Sequence, residues 1–348
     1  MSKVRDESEY GSGHDDQLEP IAALDINAAT SVDALLRSMS NTAFGGRKLG
    51  EAADLLETMV NDTDCFRVVT ISGAMTIAKQ GLVLCEMIDR GWVQAIVSTG
   101  ALMTHGLVEG AGMQHFKHRQ DMKDEELYSR GYNRVYDTIE LEKNLDNVEM
   151  LLRRALGSLD DQEILSSHRI LRLLGEHLTE HQPGRAILKS AVAQNVPIYV
   201  PAFTDSELGL DLAIFNKLSQ EQHGKRFHFD PFLDLDHFTD QIRQHETLGI
   251  FTIGGGVPRN WAQQVGPYLE IQRARLGRDE PRRRYKYALR ICPEPENWGG
   301  LSGCGYSEGI SWGKFVPEAE GGRFAEVPVD ATIAWPLIVR AVIERTQA

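Results

Sequence analysis

The sequence predicts an α/β protein: a doubly wound, mostly parallel sheet with helical additions. Two observations carry that expectation. Apolar runs of strand length recur along the chain, and stretches of helical periodicity separate them, which is the alternation that parallel pairing through crossovers requires. The 348 residues are 42% hydrophobic and 25% charged, enough apolar material for a large core. That composition excludes collagen, coiled coil and disorder throughout.

Residues 1–20 hold six acids and two bases with little apolar content, and are expected to form a disordered or loosely docked tail. Residues 21–348 are expected to form a single large domain. Phe66–Ile71 (FRVVTI) has the pattern of a buried strand. A helix is expected over Met75–Arg90, with Ile77, Ala78, Leu82, Leu84 and Cys85 inward, and Val93–Ser98 (VQAIVS) is the next strand. Helices follow over Glu140–Leu156 and Asp160–Thr179, separated by Gly157-Ser158. Pro197–Pro201 (PIYVP) and Leu248–Ile253 (LGIFTI) are further short strands, and Ala331–Thr346 is a closing helix.

The net charge of −13 disfavours nucleic acid, whose phosphates would be repelled, and mildly favours cationic partners. No apolar run reaches the ~18–20 residues of a membrane span, and the N-terminus lacks the apolar core of a secretory signal. The four cysteines contain no CxxC pair and suit a reducing cytoplasm, so a cytoplasmic location is expected.

Ligands of such sheets bind outside the carboxyl ends of the strands. There the chain places Ser72-Gly73-Ala74-Met75-Thr76, Thr99-Gly100-Ala101, Ala202-Phe203-Thr204-Asp205-Ser206 and Gly254-Gly255-Gly256. Small residues at these turns let backbone N–H groups approach a phosphate or a flat ring, although they serve packing as well. Four such loops on one sheet point to a nucleotide-sized ligand. The GxGxxG fingerprint of ordinary dehydrogenases is absent. Near the end, Glu308-Gly309-Ile310-Ser311-Trp312-Gly313-Lys314 sets a lysine beside tryptophan and glycine. Desolvation there would lower the lysine pKa and free the amine to form an imine, while the bland reading is a surface lysine next to a core tryptophan.

Together these segments resemble the deoxyhypusine synthase family over roughly Asn41 to Val342. The resemblance runs through Thr42-Ala43-Phe44-Gly45-Gly46-Arg47-Lys48-Leu49-Gly50, Val97-Ser98-Thr99-Gly100-Ala101 and Asn133-Arg134-Val135. It continues in Pro201-Ala202-Phe203-Thr204-Asp205, Gly254-Gly255-Gly256-Val257 and Ser311-Trp312-Gly313-Lys314, and ends in Val329-Asp330-Ala331 and Trp335-Pro336-Leu337. It implies a Rossmann-like fold, NAD as cofactor, and a homotetramer with active sites at subunit interfaces. In the implied reaction NAD takes a hydride from spermidine and the resulting imine releases 1,3-diaminopropane. The butyl fragment then passes to an active-site lysine as a second imine, and on to an acceptor amine, where NADH reduces the product. The acceptor is a protein lysine in deoxyhypusine synthase and putrescine in the related homospermidine synthases.

Position by position, the resemblance implies that Lys314 forms the imine, Trp312 walls the aliphatic part of the polyamine and Glu308 pairs with an ammonium. It places NAD on Gly73, Ala74, Met75, Thr76, Thr99, Gly100, Ala101, Asp205, Gly255, Gly256, Asp330 and Ala331. The departures bear on substrate. Thr104-His105 stands where the eukaryotic enzymes have paired glutamates, and Asn260 where they have a histidine. Leu210 and Asp211 replace an aspartate one place earlier, and Leu301 replaces another acid. His105 is the candidate for the missing proton acceptor. Asn260 stands with it as a catalytic position and Asp211 as a substrate-binding one. These changes resemble the bacterial deoxyhypusine-synthase-like branch, so a small amine, putrescine giving homospermidine, is the first choice of acceptor. A protein lysine as acceptor, or an altered NAD- and polyamine-binding homologue, are the alternatives.

His105, His115, His118 and Asp121 have spacing that raises a metal site, but no Cys or Glu is expected to complete the set, and no metal is expected. Arg134 is expected to serve as a structural ion-pair partner, and the basic run from Arg273 to Lys286 as a solvated or interface surface.

Overall fold

The computed structural model describes residues 5–157, 159 and 163–347. Its centre is a six-stranded parallel sheet of β1 (Cys65–Ile71), β2 (Ala95–Ser98), β3 (Ile198–Tyr199), β4 (Thr247–Ile253), β5 (Tyr285–Ile291) and β6 (Arg323–Val327). The spatial order is β6-β5-β4-β1-β2-β3. The chain winds outward from β1 through β2 to β3, returns to the opposite side of β1, and winds outward again through β4, β5 and β6. This is the doubly wound order of dinucleotide-binding sheets, and its direction reverses between β1 and β4. Because every strand is parallel, all six carboxyl ends share one edge.

Both faces of the sheet are covered, which is why its strands read as continuous apolar runs. Within β1, Val69 and Ile71 join the core under the helices Phe44–Asn61, Gly81–Asp89 and Ala331–Gln347, while Phe66 and Val68 face a second core with Phe238, Ala262 and Phe315. Arg67 is the exception in β1. Its guanidinium lies in the interior and donates to the carbonyls of Met59, Asp62, Gly91 and Trp92.

Several expected boundaries shift for local reasons. The segment expected to be helical from Met75 is turn through Lys79, which adopts φ +62°, and the helix starts only at Gly81. Leu82 consequently points outward, 59% exposed. Glu140 belongs to a strand, Thr138–Leu141, of a small antiparallel sheet with Phe116–Lys117 and Tyr132–Val135, and the helix begins at Glu142. The next helix is Ser167–His181, because the buried Asp234 carboxylate accepts from the N–H groups of Ser167 and His168 and caps it there. Ile164–Leu165 ahead of it is a strand paired with His228–Phe229, and residues 160–162 of the expected helix lie outside the described residues.

Strands β5 and β6 are additions to the sequence reading. Lys286 and Arg290 interrupt β5's apolar pattern, yet Arg290 is 3% exposed and pairs with Glu326 of β6. Residues 5–30 are exposed almost throughout, and Ala22 ties them to the body by donating to the Asn41 carbonyl; residues 1–4 lie outside the described residues. Among the described residues no helix is long and apolar enough to cross a membrane.

Candidate active site

The loops after β1, β2 and β4 meet at the point where the winding reverses. Gly255 N–H donates to Ser72 Oγ at 2.9 Å across the crevice, and Thr99 Oγ1 lies 3.5 Å from the Gly73 carbonyl oxygen. Gly73 has φ +74° and open space where a Cβ would stand. Gly254 and Gly256 also hold positive φ, +80° and +64°, so the turn into the Gly256–Gln263 helix needs glycine at both positions. Two helix N-termini, Gly256–Gln263 and Gly100–Gly110, therefore open at one crevice, with orphan N–H groups suited to a pyrophosphate. These features fit a dinucleotide.

The remaining cofactor candidates divide. Asp205 is exposed beyond β3, and Asp330 beyond β6 caps the final helix by accepting from Thr332 N–H and Oγ1 while Ala331 is buried behind it. Thr76 turns inward and donates to the Leu102 carbonyl, Met75 packs on the core, and Ala74 is half-buried between Gly73 and Met75. A Cβ on Gly100 would stand 2.2 Å from Ser206 Oγ, so this glycine is required by packing, with Ala101 half-buried beside it. Gly255 is likewise crowded by the chain itself, its missing Cβ falling 2.6 Å from Ser302 Cα. Gly255→Ala is accordingly expected to displace the 299–305 loop and cost about 1–3 kcal/mol, read as a lower urea midpoint. An unchanged midpoint would mean the loop yields freely.

That same loop walls a second pocket, beside the crevice, which contains Lys314. Gly313, at φ +72°, ends the short Tyr306–Ser311 helix and turns the chain so that Lys314 N–H donates to the Gly309 carbonyl while Tyr285 N–H donates to the Lys314 carbonyl. The lysine is thereby held at the edge of β5, 8% exposed. Its Nζ donates to Asn260 Oδ1 at 3.0 Å and lies 5.9 Å from the centroid of the Trp312 ring. Asn260 sits one turn into the helix that the glycine loop initiates, which joins the crevice to the lysine. Burial pushes the Lys314 pKa down; the nearby Cys304 thiol and Glu308 oppose this shift, and the Arg259 guanidinium adds to it.

Glu308 lines the pocket as expected, and three residues that the sequence reading passed over line it too: Glu296, Cys304 and Arg259. Gly305 lacks the Cβ that would stand 2.1 Å from Glu296 Oε1, which is how that carboxylate lies against the loop. Arg259 and Arg290 both donate to the carbonyls of Ser302 and Cys304 and clamp the wall.

The parallel strand order is that of a family with which the chain compares along most of its length. A family model for deoxyhypusine synthase matches residues 34–342. "Probable deoxyhypusine synthase 2" of Methanosarcina mazei is 33% identical over 91% of this chain and 88% of its own length. The chain belongs to the deoxyhypusine synthase family. A "Deoxyhypusine synthase-like protein" of Chlorobaculum parvum is 31% identical over 92% of this chain and 88% of its own. The crystal structure of a "putative deoxyhypusine synthase from Entamoeba histolytica" aligns with TM-score 0.59 and 15% identity, covering 93% of this chain and 97% of that one, which speaks to the fold. Membership in the deoxyhypusine synthase family implies a transferase, with spermidine as the substrate of the family's reaction.

Two candidates from the sequence do not join the lysine pocket within one chain. Asp211 lies on the Glu207–His223 helix, where burial and the charges of Glu149, Glu207 and Asp146 push its carboxyl up to about 6. His105 lies on the Gly100–Gly110 helix with its Nδ1 3.0 Å from Glu140 Oε2. His115 reaches the same oxygen, so the metal-like spacing does gather two histidines, with Glu140 and without His118 or Asp121. Arg134 makes a bidentate pair with Asp124 at 2.7 and 2.8 Å.

Proposed function

We propose that the protein is an NAD-dependent transferase that moves the aminobutyl group of spermidine through an imine on Lys314 to a small amine, putrescine, giving homospermidine. The observation that carries this reading is the desolvated Lys314, held against Asn260 and Trp312 next to a crevice suited to a dinucleotide. NAD, held by the turns at Gly73, Thr99 and Gly255–Gly256 with Asp205 and Asp330 at the flanks, would accept the donor's hydride.

The chain's own residues then have separable tasks. Lys314, its ammonium disfavoured by burial, supplies a neutral amine to attack the butyl carbon, and Asn260 Oδ1 holds that amine in place. The Trp312 face covers the methylene chain and excludes water from the imine. Glu308 and Glu296 offer carboxylates to the ammonium groups, so the acids lost at Leu301 and Leu210 are partly offset by Glu296. His105 takes the proton released as the donor is oxidised. Trp312 and Leu301 line the pocket and are 61% and 48% exposed, which supports a homotetramer whose partner subunit completes the site and brings Asp211 or His105 to it.

A second reading, modification of a protein lysine, is favoured by the names of the archaeal relatives. Amines formed from spermidine and NAD, with and without putrescine, separate the two by chromatography and mass spectrometry. Homospermidine with 1,3-diaminopropane is expected. Diaminopropane alone would favour the protein acceptor, and untouched spermidine would overturn the donor.

A further inference from the structure

Glu140 is 1% exposed on a strand of the small antiparallel sheet, far in sequence from the loops described above. Four nitrogens converge on its carboxylate. Oε1 accepts from the Leu141 N–H and from Asn144 Nδ2, both at 2.8 Å. Oε2 lies 3.0 Å from His105 Nδ1 and 2.6 Å from His115 Nε2. The side chains of His115 and His105 are 0% and 11% exposed, so water does not compete for these contacts. Although burial opposes it, the bonds from His105, His115 and Asn144 hold the Glu140 carboxyl well below the usual range, and it is an anion that can only accept.

The opposite side of His115 fixes the protons. Lys79 Nζ lies 2.7 Å from His115 Nδ1 and 2.7 Å from Glu109 Oε1, and its backbone is held in the left-handed region to reach them. An ammonium paired with Glu109 donates, so His115 Nδ1 accepts and its proton sits on Nε2, facing Glu140. His105, His115 and Glu140 offer ligand atoms within 4.8 Å of one another, as a metal would need. A metal would also need the lone pair of His115 Nε2, which the Lys79 ammonium denies it.

We propose that Glu140 is a positioning residue: with His115 and Lys79 it locks His105 in the tautomer that carries its proton on Nδ1 and leaves Nε2 bare. A bare Nε2, on the helix whose first turn opens at the cofactor crevice, is a proton acceptor of fixed direction. This rests on the reading of His105 as the reaction's proton acceptor. Spacing suggests His105, His115, His118 and Asp121 together, whereas the fold gathers His105 and His115 with Glu140, which has no linear signal at all.

Glu140→Gln separates charge from shape. The fixed Leu141 N–H keeps the amide oxygen on its own side and turns the amide NH₂ toward the imidazoles, which must then accept at Nδ1 of His105. Solid-state ¹⁵N NMR of histidine-labelled full-length protein, with His105 signals assigned by their loss in His105→Asn, reads this without turnover. Wild type is expected in the Nδ1-protonated form, Glu140→Gln in the Nε2-protonated form, and Glu140→Asp in the wild-type form. Spermidine turnover is expected to fall about 10²-fold in Glu140→Gln and recover in part in Glu140→Asp, and Glu140→Gln/His105→Asn should be no worse than His105→Asn alone. Nε2-protonated or doubly protonated His105 in wild type would overturn the proposal. So would one equivalent of tightly bound metal that Glu140→Gln loses. The predicted tautomers with no effect of His105→Asn on turnover would instead sink the reading of His105 as proton acceptor.

Discussion

Lys314→Ala is expected to lower aminobutyl transfer by about 10³-fold or more while dinucleotide affinity stays within about twofold. The expected loss is large because no other amine lines the pocket among the described residues of this chain: Asn260, Glu308 and Trp312 can hold a substrate but cannot form an imine, and Arg259 is engaged by the carbonyls of Ser302 and Cys304. Dinucleotide affinity is spared because the crevice is built from the backbone of the turns at Gly73, Thr99 and Gly254–Gly256, and Lys314 touches that framework only through the Asn260 side chain. Lys314→Arg should be as inactive, since guanidinium stays protonated. Borohydride reduction during turnover should trap the butyl fragment on the Lys314 peptide of wild type alone. Because burial depresses the Lys314 pKa, the rate should rise as the ammonium loses its proton, with a midpoint below the ~10.4 of free lysine. Equal turnover of wild type and Lys314→Ala with every amine tried would make the protein a binding homologue, and calorimetry with NAD would then define what remains.

The sheet was legible wherever a strand is covered on both faces by helices, since such strands carry uninterrupted apolar runs. Phe66–Ile71 and Leu248–Ile253 lie within the observed Cys65–Ile71 and Thr247–Ile253. Tyr285–Ile291 escaped because Lys286 and Arg290 break its pattern, and only the tertiary structure shows that the Arg290 terminal nitrogens meet Glu326 and two carbonyls inside. Lys314 was visible because the residues around it are contiguous and chemically unusual, and Asn260 only as a departure from the family's pattern. Glu296 and Glu140 were not, for a shared reason. Each reaches its partners across space, Glu296 into the volume left by Gly305 and Glu140 across 35 residues to His105, and no linear spacing encodes either contact. Gly100 and Gly255 teach the converse: both sit in ligand-like turns, yet Ser206 and Ser302 already fill the space beside them.

Arg345→Met carries the largest expected effect on stability, about 3 kcal/mol at neutral pH. The Arg345 side chain is 0% exposed and joins three helices: Nε donates to Asp33 on Val32–Ser40, and Nη1 donates to Asp54 and Glu57 on Phe44–Asn61 at 2.8 and 2.9 Å. Methionine fills much of the same volume, so the loss measures charge and hydrogen bonding more than packing. Three carboxylates would remain around the position without their shared cation, and two of them come from one helix a single turn apart. The pH dependence follows from the direction of the Asp33 shift. Burial raises its carboxyl, but the bonds and charge of Arg345 and Arg37 overcome that and hold it below its ordinary value. A depressed carboxylate stabilises the fold above its unfolded value of about 3.9 and ceases to as pH falls through the folded one. The wild type therefore loses this contribution in acid, while the variant gains relief as its crowded carboxylates protonate. Urea midpoints at pH 7 and at about pH 2, well below the unfolded carboxyl value, should differ widely between the two proteins at the first and converge at the second. Adding Glu57→Gln to Arg345→Met should recover part of the loss at pH 7, because it removes one of the stranded charges. An equal deficit at both pH values, with no recovery from Glu57→Gln, would mean that Arg345 holds these helices by its volume and not by its charge.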